Sequence, residues 1–193
     1  MIVLKTHSEL ERMKKACRIS AESLSVAEEL IRPGITTREI DRAMHDFIVR
    51  SGAKPSFLGL YGFPASACIS VNDVVIHGIP GDYRLQEGDI VSIDVGACCD
   101  GFHGDNAYTF PVGQISEENQ RLLRVTQESL YKGIEAAVIG NRIGDISFAV
   151  QSHVTPYGFG IVRQFVGHGV GKALHEDPEV PNFGKAGHGP RLV

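Results

Sequence analysis

Apolar residues recur at helical spacing near the start of the chain, and this pattern predicts an amphipathic helix that ends before Pro33-Gly34. The sequence from Ser8 to Glu11 matches a capping box, which predicts that Ser8 caps this helix. A second helix is predicted from Thr36 or Thr37 to Gly52. The predicted inner faces are Leu10, Met13, Cys17, Ser20, Leu24, Ala27 and Ile31 in the first helix, and Ile40, Ala43, Met44, Phe47 and Ile48 in the second.

Strands are predicted in the middle of the chain, where apolar and polar residues alternate. Ala67 to Val71 forms a short strand that is predicted to resume at Val74-Val75-Ile76. Gly88 to Phe110 contains two strands joined at Asp100-Gly101, which is a hairpin turn signal. Alternation places Val91, Ile93 and Val95 on one face of the first strand, and His103, Asp105, Ala107 and Thr109 on one face of the second.

The second half repeats the order of helix, helix and strand. A long helix from Ser116 to Gly140 is followed by one that starts at Asp145, and a strand is predicted from Ile161 to Val166. The predicted buried side of the long helix is Leu122, Leu123, Thr126, Leu130, Ile134, Ala137 and Val138. Because the second copy lacks its further strands, we expect that the chain is cut short at its C-terminal end.

Composition narrows the class of protein. The chain has 193 residues, of which 42% are hydrophobic and 22% are charged, as in one globular domain with a substantial core. The net charge of −4 and the absence of a basic run argue against nucleic-acid binding. No apolar stretch approaches the ~18 residues of a membrane span. Four cysteines without a CxxC pair indicate reduced thiols and a cytoplasmic location.

Two carboxylates dominate the candidate chemistry. Asp94 and Asp105 lie on the two strands of the predicted hairpin, and antiparallel pairing lets both look into the same space. Because two neighbouring carboxylates repel each other, a divalent cation is the natural partner. The alternative is two solvated aspartates at strand ends.

Histidines and an apolar loop supply further candidates. His77 follows an apolar run and precedes a glycine, and His168 lies among three glycines, with His175 seven residues further on. Glycines beside His168 leave room for a ligand to approach the imidazole. The loop from Lys54 to Ser66 is rich in glycine, proline and aromatic residues, so it either covers a core or lines an apolar pocket.

Four ordered motifs together resemble type I methionine aminopeptidases of the creatinase-like metallopeptidases. They are VVIHGIP at 74–80, IVSIDVG at 90–96, GFHGDNAYTF at 101–110 and VGHGVGKALHEDP at 166–178. The resemblance runs nearly from end to end and implies a single catalytic domain over 1–193, incomplete at the C-terminus. The implied fold class is α/β (α+β), the pita-bread fold, in which helix pairs flank a curved antiparallel sheet whose last strands would be missing here.

The resemblance also implies roles for individual residues. The metal ligands would be Asp94, Asp105 and His168, and His77 and His175 would be catalytic and contact the substrate. The implied cofactors are two divalent ions of Co, Mn, Fe or Zn. The implied pocket for the methionine side chain is formed by Phe57, Leu60, Phe63, Cys68 and Leu174.

The implied activity is metal-dependent removal of the N-terminal methionine from nascent polypeptides by a cytoplasmic monomer that binds neither nucleic acid nor membrane. The family completes its site with two glutamates on later strands, so we expect little activity from this chain. Leu60 stands where an aromatic residue is usual, and Asn106-Ala107 replaces a hydroxyl-bearing pair. Two alternatives stay open: a non-catalytic binding module of the same fold, and an Xaa-Pro aminopeptidase.

Overall fold

The computed structural model describes all 193 residues, which fall into two compact units. We call Leu4–Ser116 with Val170–Leu174 the sheet unit. We call Met1–Val3, Glu117–Gly169 and His175–Val193 the helix-pair unit. None of the helices combines the length and the apolar character that crossing a lipid bilayer requires.

The sheet unit contains two helices and a four-stranded antiparallel sheet. The long strand β3 pairs with β4 along its whole length, and with β2 and the short β1 on its other side. The elements are α1 (His7–Leu30), α2 (Thr37–Arg50), β1 (Lys54–Pro55), a 3₁₀ turn (Leu60–Gly62), β2 (Ala67–Val71), β3 (Ile90–Cys99) and β4 (Phe102–Pro111). The predictions of β2 and of the hairpin are therefore confirmed.

One face of this sheet packs against the two helices to form the core. Val91, Ile93 and Val95 alternate toward that face and are fully buried, together with Ile40 and Met44 of α2. The other face of β3 carries Ser92, Asp94 and Gly96, as the alternation predicts.

The predicted inner face of α1 is confirmed at Ser20 and Ala27 and wrong at Leu10 and Cys17, while Leu24 and Ile31 are partly buried against the core. The buried residues are Ala16, Ile19, Ser20, Ser23 and Ala27, whereas Leu10 and Cys17 are exposed. Small side chains allow the helix to lie directly on the sheet. A Cβ on Gly104 of β4 would come within 2.4 Å of the backbone nitrogen of Cys17. Close packing, rather than apolar bulk, therefore selects the buried stripe.

Both helix starts use a threonine. The predicted cap at Ser8 is wrong, because Thr6 is the N-cap of α1 and forms a capping box with Glu9. Thr6 has the extended backbone that an N-cap requires, whereas Ser8 already lies inside the helix. The cap of α2 is Thr36, one of the two threonines that the sequence allows, and it forms a second capping box with Glu39.

The helix-pair unit packs two helices side by side and adds a small hairpin. Its elements are α3 (Glu117–Ala136), α4 (Ile143–Val154), a 3₁₀ turn (Thr155–Tyr157), β5 (Gly167–Gly169) and β6 (Glu176–Val180). The buried stripe of α3 is Val125, Ser129 and Gly133, so the predicted stripe is wrong: Leu130 and Ile134 are more than half exposed. A Cβ added to Gly133 would lie 3.1 Å from Cγ2 of Val150 in α4, so the Val150 side chain packs directly on the glycine backbone. The small residues of α3 therefore face α4.

Two predicted strand segments do not form. The residues 74–76 and 161–166 are irregular, because neither segment pairs with a neighbouring strand. Val75, Val162 and Phe165 in these segments are exposed. Apolar residues alone therefore do not produce a strand where no partner supplies the ladder of hydrogen bonds.

Candidate active site

The β3–β4 hairpin positions the two candidate carboxylates on one face of the sheet. Its turn consists of Asp100 and Gly101, both with positive φ (52° and 78°), as expected of the tight turn that matches strand twist. The ladder pairs Asp94 with Ala107 and Asp105 with Gly96. The two aspartates are therefore diagonal neighbours on the face opposite the helices.

Electrostatics couple the two groups strongly. Burial, the charge of Asp105 and a hydrogen bond that the Asp94 carboxyl donates to the Asp105 side chain raise the pKa of Asp94 to about 7, while the backbone N–H of Val95 acts in the opposite direction. Burial and the nearby Asp94 and Asp105 charges raise the pKa of the Cys68 thiol to about 12. The pair therefore holds a proton near neutral pH, and the thiol beside it stays protonated.

Such a pair fits a divalent cation. A cation removes the repulsion that otherwise keeps one carboxylate protonated, and carboxylate oxygens are ligands that hard divalent ions prefer. No set of three or more His, Cys, Asp or Glu side chains is arranged to hold a metal ion. The structure thus supplies the carboxylate pair, and the ligand set of Asp94, Asp105 and His168 stays a prediction.

His77 is held beside β2 in a strained backbone conformation. Its φ is 59°, which lies in the left-handed region that residues other than glycine rarely adopt. The next residue, Gly78, accepts a hydrogen bond from the Ile69 N–H at 2.8 Å and donates to the Ser70 hydroxyl at 3.0 Å. A Cβ at Gly78 would lie 2.2 Å from the Ile69 oxygen, so only glycine allows this attachment. Strain of this kind is typical of functional positions.

The five predicted pocket residues come together as one apolar cluster of the sheet unit. Phe57, Cys68 and Leu174 are buried, and Leu60 and Phe63 pack against them. The loop that carries three of them is fixed by its own backbone. Gly59 donates to Phe63 at 2.9 Å and Leu60 donates to Phe57 at 3.0 Å. Their role as a methionine pocket stays a prediction.

His168 and His175 lie together in the helix-pair unit, with ring centroids 4.4 Å apart. Nδ1 of His168 is 2.9 Å from the carbonyl oxygen of Gly169. A carbonyl can only accept, so Nδ1 carries the proton and Nε2 carries the lone pair, as in a metal-binding imidazole.

The glycines around His168 serve the hairpin of β5 and β6. A Cβ at Gly169 would lie 2.5 Å from the oxygen of Asp177, and one at Gly167 would lie 2.9 Å from the oxygen of Val180. The expectation that these glycines leave room for a ligand is therefore wrong at both positions. The neighbouring strand fills that space.

Sequence reasoning missed Gly96, and it placed His103 on the face of Asp105 without its contact to Ser56. Gly96 of β3 lies under Ser56 and Phe57, and its missing Cβ would meet the Ser56 Cβ at 2.7 Å. His103 binds the Ser56 hydroxyl at 2.8 Å. A glycine at an otherwise regular strand position was the available signal for the first contact.

The chain is similar to a family of known metallopeptidases. The family model for metallopeptidase family M24 matches residues 11–192. A methionine aminopeptidase of Clostridium perfringens is 58% identical over 193 residues, which cover 100% of this chain and 78% of that protein. Methionine aminopeptidase 1 of Bacillus subtilis is 50% identical, with 77% of its length covered.

Solved structures agree. The crystal structure of methionine aminopeptidase from Rickettsia prowazekii matches with a TM-score of 0.98 and 38% identity, covering 100% of this chain and 78% of that one. The prolidase of Pyrococcus furiosus matches with a TM-score of 0.84 and 28% identity, covering 95% of this chain and 53% of that one.

These matches define the class: the chain belongs to metallopeptidase family M24. Within that family it is similar to the methionine aminopeptidases, and three relatives of that name are 50% to 58% identical to it. The predictions of a metallo-aminopeptidase and of the pita-bread α/β fold, with an antiparallel sheet and helices, are thereby confirmed.

Proposed function

We propose that the chain removes the N-terminal methionine of nascent polypeptides by metal-dependent hydrolysis, as a cytoplasmic monomer. The observation that carries this proposal is the diagonal pair of Asp94 and Asp105 on one face of the sheet, whose mutual repulsion a divalent cation would remove. The names of the relatives supply the substrate class.

The chain's own donors define how metal would be held. By the family resemblance, Asp94 and Asp105 would supply oxygen ligands and Nε2 of His168 would supply a nitrogen ligand, a mixture that suits two ions of Mn, Fe, Co or Zn. When bound, such ions polarise a carbonyl and activate water at neutral pH. Asp94 must lose its proton first, because a carboxylic acid is a poor ligand.

We propose that the apolar cluster binds the side chain of the first residue of the peptide. Phe57, Cys68 and Leu174 are buried beside the carboxylate pair, since both aspartates act on the Cys68 thiol. An apolar site of this kind suits a flexible thioether side chain. The protonated Cys68 adds no charge there, which favours an uncharged first residue of the peptide.

Two histidines are assigned to the peptide. We propose that His77, fixed in its strained conformation next to β2, orients the peptide or assists the leaving amine. His175 would donate a hydrogen bond to the carbonyl oxygen as negative charge develops on it. Both assignments rest on the family resemblance.

For the polypeptide of residues 1–193 expressed by itself, we propose weak metal binding and slow turnover. The resemblance assigns further glutamate ligands to positions that lie outside these residues. The carboxylate pair and one imidazole leave a cation with fewer protein donors than a closed site provides.

The experiment loads the purified chain with Mn²⁺, Co²⁺, Fe²⁺ or Zn²⁺ and measures free methionine released from Met-Ala-Ser by mass spectrometry. We expect slow release that Asp94→Ala abolishes and that Asp46→Asn, a change on the exposed side of α2, preserves. An Ala-Pro-Ser peptide runs in parallel, because the prolidase-like fold makes Xaa-Pro cleavage the second candidate. Preferred release of alanine would favour that candidate. Release that is insensitive to Asp94→Ala would refute the assigned site.

A further inference from the structure

His103 joins two segments of the sheet unit that are far apart in sequence. It lies in β4 opposite Cys98, on the same face as Asp105. Its ring Nδ1 is 2.8 Å from the Ser56 hydroxyl. Its backbone N–H donates to the carbonyl of Gly171 at 2.8 Å. One residue therefore contacts both the loop after β1 and the segment Val170–Leu174.

On the first side, the Ser56 segment lies flat on the sheet. The Ser56 N–H donates to the carbonyl of Gly96 at 2.9 Å. A Cβ on Gly96 would come within 2.8 Å of the Phe57 ring, so the ring is set directly over the strand. The hydrogen bond between the Ser56 hydroxyl and the His103 ring holds the loop at the residue that precedes Phe57.

On the second side, Gly171 belongs to a turn that is held at several points. Its N–H donates to the carbonyl of Ala173 at 3.0 Å. Lys172 Nζ is 3.1 Å from a Glu9 carboxylate oxygen and 5.8 Å from the centre of the Phe102 ring. Leu174, which follows this turn, is 5% exposed and contributes to the apolar cluster.

We propose that His103 is a positioning residue for the apolar cluster. By holding Ser56 with its ring and Gly171 with its backbone, it sets the separation of Phe57 and Leu174, and with it the choice of side chain that the cluster accepts. This inference rests on the proposed function, in that methionine is the side chain preferred.

Substitution of His103 changes only its side-chain contact with Ser56, because the hydrogen bond to Gly171 is formed by the backbone N–H. Ser56→Ala deletes only the hydroxyl. His103→Phe keeps a ring and removes its nitrogens, whereas His103→Asn keeps an amide that can reach the Ser56 hydroxyl. A matched control is Ser66→Ala, which removes an equivalent bond of 2.8 Å between Ser66 and His45 of α2.

The test has two readouts on the 193-residue chain. The first is the chemical shift of the Leu174 methyl groups in protein labelled with ¹³C at leucine methyls. The second is the ratio of affinities for L-methionine and L-leucine, measured by titration while following the same resonances. A single hydrogen bond corresponds to a change of about 2- to 10-fold in such a ratio.

We expect Ser56→Ala and His103→Phe to shift the Leu174 methyl resonances and to lower the methionine preference by about 2- to 10-fold. His103→Asn should restore both toward the wild type, and Ser66→Ala should leave both unchanged. Unchanged Leu174 resonances in Ser56→Ala and His103→Phe would overturn the inference. A wild-type chain that binds neither amino acid would instead count against the proposed function, and the methyl resonances would still decide the placement by His103.

Discussion

The carboxyl group of Asp94 hydrogen-bonds to that of Asp105, although the strand ladder pairs Asp94 with Ala107 and Asp105 with Gly96. The diagonal arrangement lets the two side chains meet across the strand pair, while Ser56 and Phe57 lie over Gly96. Because burial and the charge of Asp105 raise the pKa of Asp94, a cation that binds to the pair would displace a proton from it.

Loss of either carboxylate should therefore weaken metal binding. We expect Asp105→Asn to lower the affinity for Mn²⁺ or Co²⁺ by more than about 10-fold, since even the loss of an outer partner of a metal ligand costs about 10- to 100-fold. Isothermal titration calorimetry on chain stripped with a chelator measures this. Asp46→Asn, which changes an exposed aspartate of α2, is the control and should bind like the wild type. Equal affinities for all three proteins would contradict the assignment.

The same pair makes the stability of the metal-free chain depend on pH. The folded state raises the pKa of Asp94 from its ordinary value near 3.8 to about 7, so between these values it binds more protons than the unfolded state does. The free energy of unfolding should then fall, by on the order of 2 kcal/mol, as the pH rises from about 4 to about 7.

Urea denaturation at several pH values in the presence of a chelator measures this slope. Asp94→Asn cannot titrate at that position and should flatten the dependence across the same range. A slope that persists unchanged in Asp94→Asn would assign it to another group.

Close packing of α1 on β4 predicts a large effect of a single methyl group. A Cβ at position 104 would lie 2.4 Å from the nitrogen of Cys17 and 2.5 Å from the carbonyl carbon of Ala16, and both are backbone atoms of a helix. We expect Gly104→Ala to lower the free energy of unfolding by about 3 kcal/mol. Gly81→Ala, where nothing lies within 4 Å, should stay within about 0.5 kcal/mol of the wild type. Equal urea midpoints for the two variants would argue against this helix placement.

The start of α1 offers a direct choice between two candidate caps. Thr6→Ala removes the hydroxyl that accepts from the Glu9 N–H, so it should cost about 1 kcal/mol. Ser8→Ala changes a residue inside the first turn, and we expect a change within about 0.5 kcal/mol. Thermal unfolding of the two variants side by side distinguishes them. A larger loss in Ser8→Ala would support the capping box that the sequence pattern suggests.

The sequence predicted the parts of the fold that depend on local patterns. Alternation and the Asp100-Gly101 turn located the hairpin and the shared face of its aspartates, because both follow from neighbouring residues. The buried stripe of α3 and the first half of that of α1 were misplaced, because small residues such as Ala16 and Gly133 form the contacts there. A pattern based on large apolar residues does not identify small residues such as these as buried.

The local sequence patterns did not predict contacts between residues that are far apart in the chain. The bond between Ser56 and His103 joins residues 47 positions apart, and nothing in either local sequence indicates the other. The apolar residues from Phe57 to Leu174 were assembled only through the family resemblance, since hydrophobicity alone does not say which distant segments meet. The same limit applies to strands, which need a partner that a local pattern cannot supply.

The two-residue turn of the β3–β4 hairpin also bears on the order in which the chain assembles. A hairpin of this kind closes in about 1–10 μs, because only a short loop must be ordered first. Asp94 and Asp105 therefore meet as soon as the hairpin forms. The contacts of His103 with Ser56 and Gly171 wait for much longer loops to close. The acidic pair thus depends on a turn between neighbouring residues, whereas the apolar cluster depends on segments that lie far apart along the chain.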